Sequence, residues 1–282
     1  MKTDSGIRIA TSIGLDRQQQ GLPQWVLLHI PHDSMVIPAE IRSQFHLDDD
    51  MLAQELQRMT DHATRGLFAP LASEQNVICS SVSRLVVDVE RFADDTYEPM
   101  AARGMGAVYM RTSGGLALRH PLPTASRASL MDTYYHPHHA RLGACARSRL
   151  LEYGHVLILD CHSFASRPLP HEDDQEVHRP EICIGTDRFH TPQELAEQLV
   201  AAFRAAGFHT MVNRPFSGAM VPASLYRQET RALGVMVEVN RKLYMDETQH
   251  CLRHDFDRIG RKIRGACKIG INKWFQKVRW NL

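Results

Sequence analysis

Seven short apolar runs recur along the chain: Trp25 to Ile30, Val77 to Cys79, Leu85 to Val89, His155 to Leu159, Ile182 to Ile184, His209 to Val212 and Val235 to Val239. They are too short for helices and rich in β-branched residues, which suits the buried strands of one central sheet. Helical patterns lie between them. From Asp48 to Leu71, Met51, Leu52, Leu56, Met59, Leu67 and Leu71 recur at three- and four-residue spacings, and Asp48, Asp49 and Asp50 suit a helix's positive end. Thr191, Pro192 and Glu194 read as a capping box that opens a second helix, closed by Gly207. A third helix is expected over much of Tyr134 to Tyr153, with Pro137 near its start, and a fourth from about Thr248 towards Phe275. This alternation predicts an α/β fold, with a mainly parallel or mixed sheet between helical layers. Two stretches break the pattern, Phe92 to Pro123 with its glycines and arginines, and Ser166 to Pro180 with charges and three prolines. Both are expected to border a cleft.

The chain has 282 residues, 43% of them hydrophobic and 23% charged, enough apolar material for one domain spanning residues 1–282. Lys plus Arg number 33 against 32 Asp plus Glu, so no global field favours nucleic acid or an anionic membrane. The basic C-terminal stretch (Arg258, Arg261, Lys262, Arg264, Lys268, Lys273, Lys277, Arg279) reads as a solvated helix face, with nucleic-acid binding as the rival. Six scattered cysteines form no C-x-x-C pair and are expected to be reduced thiols. The segment beginning Met1, Lys2, Thr3, Asp4 lacks a signal-peptide pattern, and no apolar run approaches the roughly 18 residues of a membrane span. A soluble, cytoplasmic protein is expected, and nothing in the sequence sets its oligomeric state.

Four segments carry candidate chemistry. In Leu27 to Ser34 a strand runs into His29, Pro31 and His32, and carboxyl ends of strands are where open α/β sheets hold ligands. The two histidines of a strand at this spacing point to opposite faces, so His32 is a candidate metal ligand while a histidine that merely caps the strand is the alternative. Val156 to Ser163 repeats the arrangement, with Asp160 and His162 at a strand end. A catalytic zinc takes three protein ligands, often two histidines and a carboxylate, and keeps one position open. Glu238 interrupts the apolar run of GVMVEVNRKLYMDE, where a buried carboxylate needs a purpose. It is either a general base or the structural partner of Arg241. In Ser83 to Arg91, SRLVVDVER, a strand would set Asp88 and Glu90 on one face between Arg84 and Arg91. That is either a salt-bridged edge strand or a source of arginines for a carboxylate or oxyanion.

Taken together and in this order, the P-H-D-S block, the R-x-x-x-D-x-x-R stretch, D-C-H-S and E-V-N-R-x-L-Y-M-D-E resemble the N-formylglutamate amidohydrolase family over roughly residues 26 to 247. Segments TDHATRGLF, CIGTD and NRPFSGAMVP also look like family blocks. Two departures stand out. Glu90 occupies the place where Asn is usual, and Asp33 stands where a smaller residue is common.

The resemblance implies a zinc-carboxypeptidase-like fold and one catalytic zinc per chain, held by His32, Asp61 and His162. It further implies hydrolysis of a small N-acyl amino acid, N-formyl-L-glutamate in the first instance, as in histidine degradation. Glu238 resembles the catalytic base, which takes a proton from water and returns it to the departing amine. Arg91 is expected at the oxyanion, and Arg84, Asn240 and Arg241 at the substrate. The alternatives are a metallopeptidase or a deacylase for another acyl group. From another class, they are a protein that binds metal or nucleic acid without catalysis.

Overall fold

In the computed structural model, which describes residues 21–278, six strands form one mixed sheet in the order β2-β1-β3-β6-β4-β5. They are β1 (Val26–Ile30), β2 (Val77–Cys79), β3 (Val156–Phe164), β4 (Ile182–Gly185), β5 (Thr210–Val212) and β6 (Ala232–Asn240). All neighbours run parallel except β4 against β6. The helices that connect and cover them are α1 (Asp49–Met59), α2 (Thr64–Phe68), α3 (Thr124–Leu130), α4 (His136–Tyr153), α5 (Gln193–Ala205) and α6 (Phe256–Lys277). The expected fold, a single domain with a mixed sheet flanked by helices, is the one observed. The N-terminal segment and Arg279 lie outside the described residues. No helix among the described residues is long and apolar enough to cross a membrane.

Strand alternation divides the central strands into two faces. Val26, Leu28 and Ile30 of β1, Leu157, Leu159 and Cys161 of β3, and Leu233, Val235, Val237 and Val239 of β6 enter one buried cluster with α5 and α6. Each such side chain stabilises the fold by about 1.5–3 kcal/mol through loss of contact with water. On the other face Leu27, Val156, Ile158 and Ala232 pack with Leu142 and Ala146 of α4. Farther along that face the residues turn polar. Register aligns His29 with Asp160, and His162 with Glu238.

The structure departs from the sequence reading in five elements, the simplest being the fourth helix, which starts at Phe256 rather than near Thr248 because Cys251–Leu252 form a short strand before it. The helix expected from Asp48 to Leu71 starts as anticipated, with Asp48 Oδ1 accepting from Met51 N at 2.8 Å, but it ends at Met59. Thr60 is extended and Ala63 adopts φ 58°. This break lets Asp61 N donate to His32 O and turns the Asp61 carboxylate to the strand ends. The run Leu85 to Val89 is not a strand but a buried turn. Its apolar side chains join Phe45, Tyr109 and Met131 in a second core. Arg119 does the work of a missing neighbour strand, donating to the carbonyls of Leu85 at 2.7 Å and Val86 at 2.8 Å.

The third helix begins earlier than expected, at Thr124, and widens over Met131–Tyr135 just before Pro137, whose missing N–H and bulky ring disrupt a regular turn. The capping box at Thr191 does not form. The Thr191 hydroxyl donates instead to Gly234 O at 2.5 Å, so Pro192 opens α5 without a side-chain cap. At the other end Gly207, at φ +84°, stops the chain as anticipated. In α6, Ile259, Ile263, Cys267, Ile271 and Trp274 are buried while Arg258, Arg261, Lys262, Lys273 and Lys277 are exposed, so the basic residues occupy the outer face.

Candidate active site

Three parallel strands and two loops deliver charged side chains to one spot. His29 ends β1, His32 follows Pro31, Asp160 and His162 lie on β3, Glu238 lies on β6, Asp61 comes from the break after α1, and Asp88 and Glu90 come from the buried turn. Backbone groups at strand ends are free of the ladder, which lets polar side chains gather there. His29, His32, Asp61, Asp88, Asp160, His162 and Glu238 are all at most 7% exposed. The side chains of Glu90, Arg84 and Arg91 keep 19%, 15% and 24% exposure. Access is therefore from the side that carries these arginines.

Almost every ring nitrogen has an assigned partner. His32 Nε2 meets Asp88 Oδ1 at 2.8 Å, and Arg84 and the Tyr109 hydroxyl donate to the other Asp88 oxygen at 2.7 and 2.5 Å. His32 Nδ1 has no hydrogen-bond partner among the described residues and lies 3.7 Å from Asp61 Oδ2. That same oxygen meets His162 Nδ1 at 2.9 Å and accepts from Ser163 N at 3.2 Å. His162 Nε2 meets Asp160 Oδ1 at 3.1 Å and Glu90 Oε2 at 3.2 Å. His29 Nδ1 meets Asp160 Oδ1 at 2.8 Å and Glu90 Oε1 at 3.5 Å, and its Nε2 meets His138 Nε2 at 2.9 Å. Two trios, His32 with Glu90 and His162, and His29 with Glu90 and Asp160, offer donor atoms within 4.8 Å of one another. Imidazole and carboxylate donors of this kind suit a divalent first-row cation.

The electrostatics follow from crowding. Burial, which raises a carboxylate, is outweighed at Asp61 by the hydrogen bond from His162 and the nearby His32 ring, and at Asp88 by the Arg84 charge, so both sit below the usual range. At His29, burial is outweighed by hydrogen bonds with Asp160 and Glu90, and the ring is pushed up to about 9. Glu238 goes the other way. Burial pushes it up to about 8, His162 offsets part of this, and the charges of Asp61, Glu90 and Asp160 add to it. Its Oε2 has no partner among the described residues. The salt bridge considered between Glu238 and Arg241 is not formed, because Arg241 Nη1 donates to Arg58 O at 3.0 Å and its Nη2 lies 3.6 Å from Asp61.

The structure thus brings His32, Asp61, His162, Glu238, Arg84, Arg91 and Arg241 around one cluster. Arg91 lies 3.6 Å from both Asp88 and Glu98. Asn240 turns aside, its amide donating to Pro180 O at 3.0 Å and its carbonyl accepting from Lys242 N at 3.2 Å. Three members were not anticipated. His29 shares a face with Leu27, and His138 shares one with Leu142 and Ala146 of α4, so strand and helix periodicity would have pointed inward for both. Arg179, from the irregular stretch Ser166 to Pro180, lies over the rings of Phe164 and Phe216 at 5.5 and 5.7 Å and is sensed by the Glu238 charge. No local pattern signals it.

A mixed sheet gathers imidazoles, carboxylates and arginines at the ends of its parallel strands, the place where open α/β sheets hold their ligands. The profile of the N-formylglutamate amidohydrolases matches residues 25–245. The chain belongs to the N-formylglutamate amidohydrolase family. Its fold is similar to the crystal structure of N-formylglutamate amidohydrolase from Ralstonia eutropha JMP134, at TM-score 0.74 and 18% identity, covering 93% of this chain and 97% of that one. It is also similar to a gene product of Agrobacterium tumefaciens, at TM-score 0.64 and 20% identity over 90% and 94% of the two chains. No protein of curated function matches the sequence.

Proposed function

We propose that this chain hydrolyses the amide bond of N-formyl-L-glutamate to formate and L-glutamate, a step of histidine degradation in the cytoplasm, with a zinc ion held by His32 Nδ1, Asp61 Oδ2 and His162 Nδ1. Imidazole and carboxylate donors are of the kind such an ion takes. His32 Nδ1 is a buried orphan facing Asp61 Oδ2, and the outer nitrogens of both rings are held by carboxylates, His32 by Asp88 and His162 by Asp160 and Glu90. Carboxylates on the outer nitrogens fix ring orientation and raise ligand basicity. When bound, such an ion supplies Lewis acidity that polarises an amide carbonyl and lowers the pKa of water towards about 7.

The observation that carries the reading is Glu238, a buried carboxylate with one oxygen unpaired and a pKa pushed up to about 8. A group poised near neutral pH serves as a general base that later returns its proton to a leaving amine. Arg91, partly exposed and with Nε unpaired, is assigned to the developing oxyanion. Arg241 and Arg179, whose Nε atoms also lack partners, are assigned to the two carboxylates of the substrate. Arg84 and Asn240 hold the frame, Arg84 through Asp88 and Asn240 through Pro180 O.

The experiment is a panel of N-formyl-L-glutamate, N-acetyl-L-glutamate and N-formyl-L-leucine assayed with the purified protein. N-formyl-L-glutamate is expected to have the largest kcat/KM, by about 10-fold or more over each analogue. A preference for the acetyl compound would instead support a deacylase of another acyl group, and no turnover of any of them would remove the proposal.

A further inference from the structure

His29 has no part in the hydrolytic reading, and the two carboxylates it shares with His162, Glu90 and Asp160, have different partners from the neighbouring Asp88. Asp88 is balanced by two guanidinium groups, Arg84 at 2.7 Å and Arg91 at 3.6 Å. Among the described residues, Glu90 and Asp160 have only His29 and His162 as ion-pair partners. Two buried rings must therefore answer two carboxylates, and the geometry overloads them. His29 Nδ1 faces Asp160 Oδ1 at 2.8 Å and Glu90 Oε1 at 3.5 Å, yet one ring nitrogen carries at most one proton. Burying carboxylates without a fixed cation is costly, and a divalent ion is one way to offset it.

The surroundings of the trio are also those of a ligand set. His29 Nε2 lies 2.9 Å from Nε2 of the buried His138. With Nε2 engaged there, Nδ1 is the His29 nitrogen that meets a cation, giving up its own proton as the cation binds. The second Asp160 oxygen accepts from Met220 N at 3.0 Å, which aims Oδ1 back at His29. Glu90 reaches both rings, Oε1 towards His29 and Oε2 towards His162 at 3.2 Å. Its partial exposure opens a path to solvent.

We infer that His29 Nδ1, Asp160 Oδ1 and Glu90 Oε1 form a second divalent-cation site, adjacent to the His32, Asp61 and His162 centre. One nitrogen and two carboxylate donors suit Zn²⁺, Mn²⁺ or Co²⁺. Paired ions in close proximity are a recurrent design in hydrolytic sites, and here Asp160 and Glu90 also face Nε2 of His162 in the first centre. The inference rests on the proposed first centre only for the total count of ions.

The test is metal content of the purified full chain, stripped with chelator, reloaded with Zn²⁺ and freed of loose ions by gel filtration. About two ions per chain are expected in the wild type, falling to about one in Glu90→Gln and in His29→Gln. Glu90→Gln keeps the shape of a partly exposed side chain, and a melting curve establishes that the fold persists. His32→Ala should lose the first ion and keep the second. A single ion that vanishes in His32→Ala but survives in Glu90→Gln and His29→Gln would overturn the second site and leave the first standing. A single ion with the reverse dependence would overturn the first and leave the second. Two ions retained in Glu90→Gln would overturn the site as built, and no ion in the wild type would overturn both.

Discussion

The two faces of the central sheet begin alike and end differently. On one face Leu157, Leu159 and Cys161 of β3 and Val235, Val237 and Val239 of β6 form an apolar row under α5 and α6, and Ser163 near the end of β3 is the first polar side chain on it. On the other, Val156 and Ile158 give way to Asp160 and His162, and Glu238 stands beside them on β6. The same strands therefore carry a stability face and a reaction face, separated only by the alternation of side chains. Substitutions on the first should change how much protein is folded, and those on the second what the folded protein does.

The largest effect expected is at Glu238. Glu238→Gln keeps the shape but cannot accept a proton, so turnover should fall by about 10²–10⁴-fold while melting temperature and metal content stay near wild type. A stable, metal-loaded variant with near-normal turnover would break the distinction between the faces. Its counterpart is Leu159→Ala on the apolar face, expected to cost about 2–5 kcal/mol in denaturant unfolding with turnover per folded molecule unchanged. If turnover fell in proportion to the lost stability under conditions where the variant is fully folded, the faces would not be separable.

Asp88 sharpens the comparison, because it supports the reaction face from behind, through His32, the two arginines and the backbone N of Glu90. Asp88→Asn should weaken metal retention by about 10–100-fold, read by equilibrium dialysis, with a smaller loss in fold stability. Unchanged affinity would show that His32 needs no such support.

The smallest effect concerns the loop that borders the site. His171 is held down to about 4, first by burial and then by the charges of Arg84, Arg91 and Arg103. Its folded pKa lies below the unfolded value near 6.5, so its contribution is complete above pH 6.5 and is lost as pH falls towards 4. Between pH 7 and pH 5 the wild type should lose on the order of 1–2 kcal/mol more than His171→Asn. Equal acid losses in the two proteins would remove His171 from the account.

Much of this arrangement was legible from residue order, because strands ending in charged residues announce themselves. His32, His162 and Glu238 each follow or interrupt an apolar β-rich run, and the sheet brings them together by register. The turn from Ser83 to Arg91 was not legible. Its apolar residues report burial, and burial normally implies a ladder, but here Arg119, some thirty residues away in sequence, satisfies the carbonyls. Asp61 was named only through the family resemblance, because the spacing of Leu56, Met59 and Leu67 continues across the break and reads as one helix, and the contact with His32 O marks where that helix stops. Arg179 lies in a segment without periodicity, so its place near Glu238 depends wholly on tertiary structure. In each case a partner distant in the chain overrode a local signal.

The account stands most directly on the dependence of hydrolysis on the ion held at His32, Asp61 and His162. The decisive measurement is turnover of N-formyl-L-glutamate by chelator-stripped protein, with metal content determined on the same sample, before and after zinc is restored. The account predicts turnover reduced to background in the stripped protein and recovered with zinc, with no recovery in His32→Ala. Undiminished turnover by protein shown to be metal-free would contradict it.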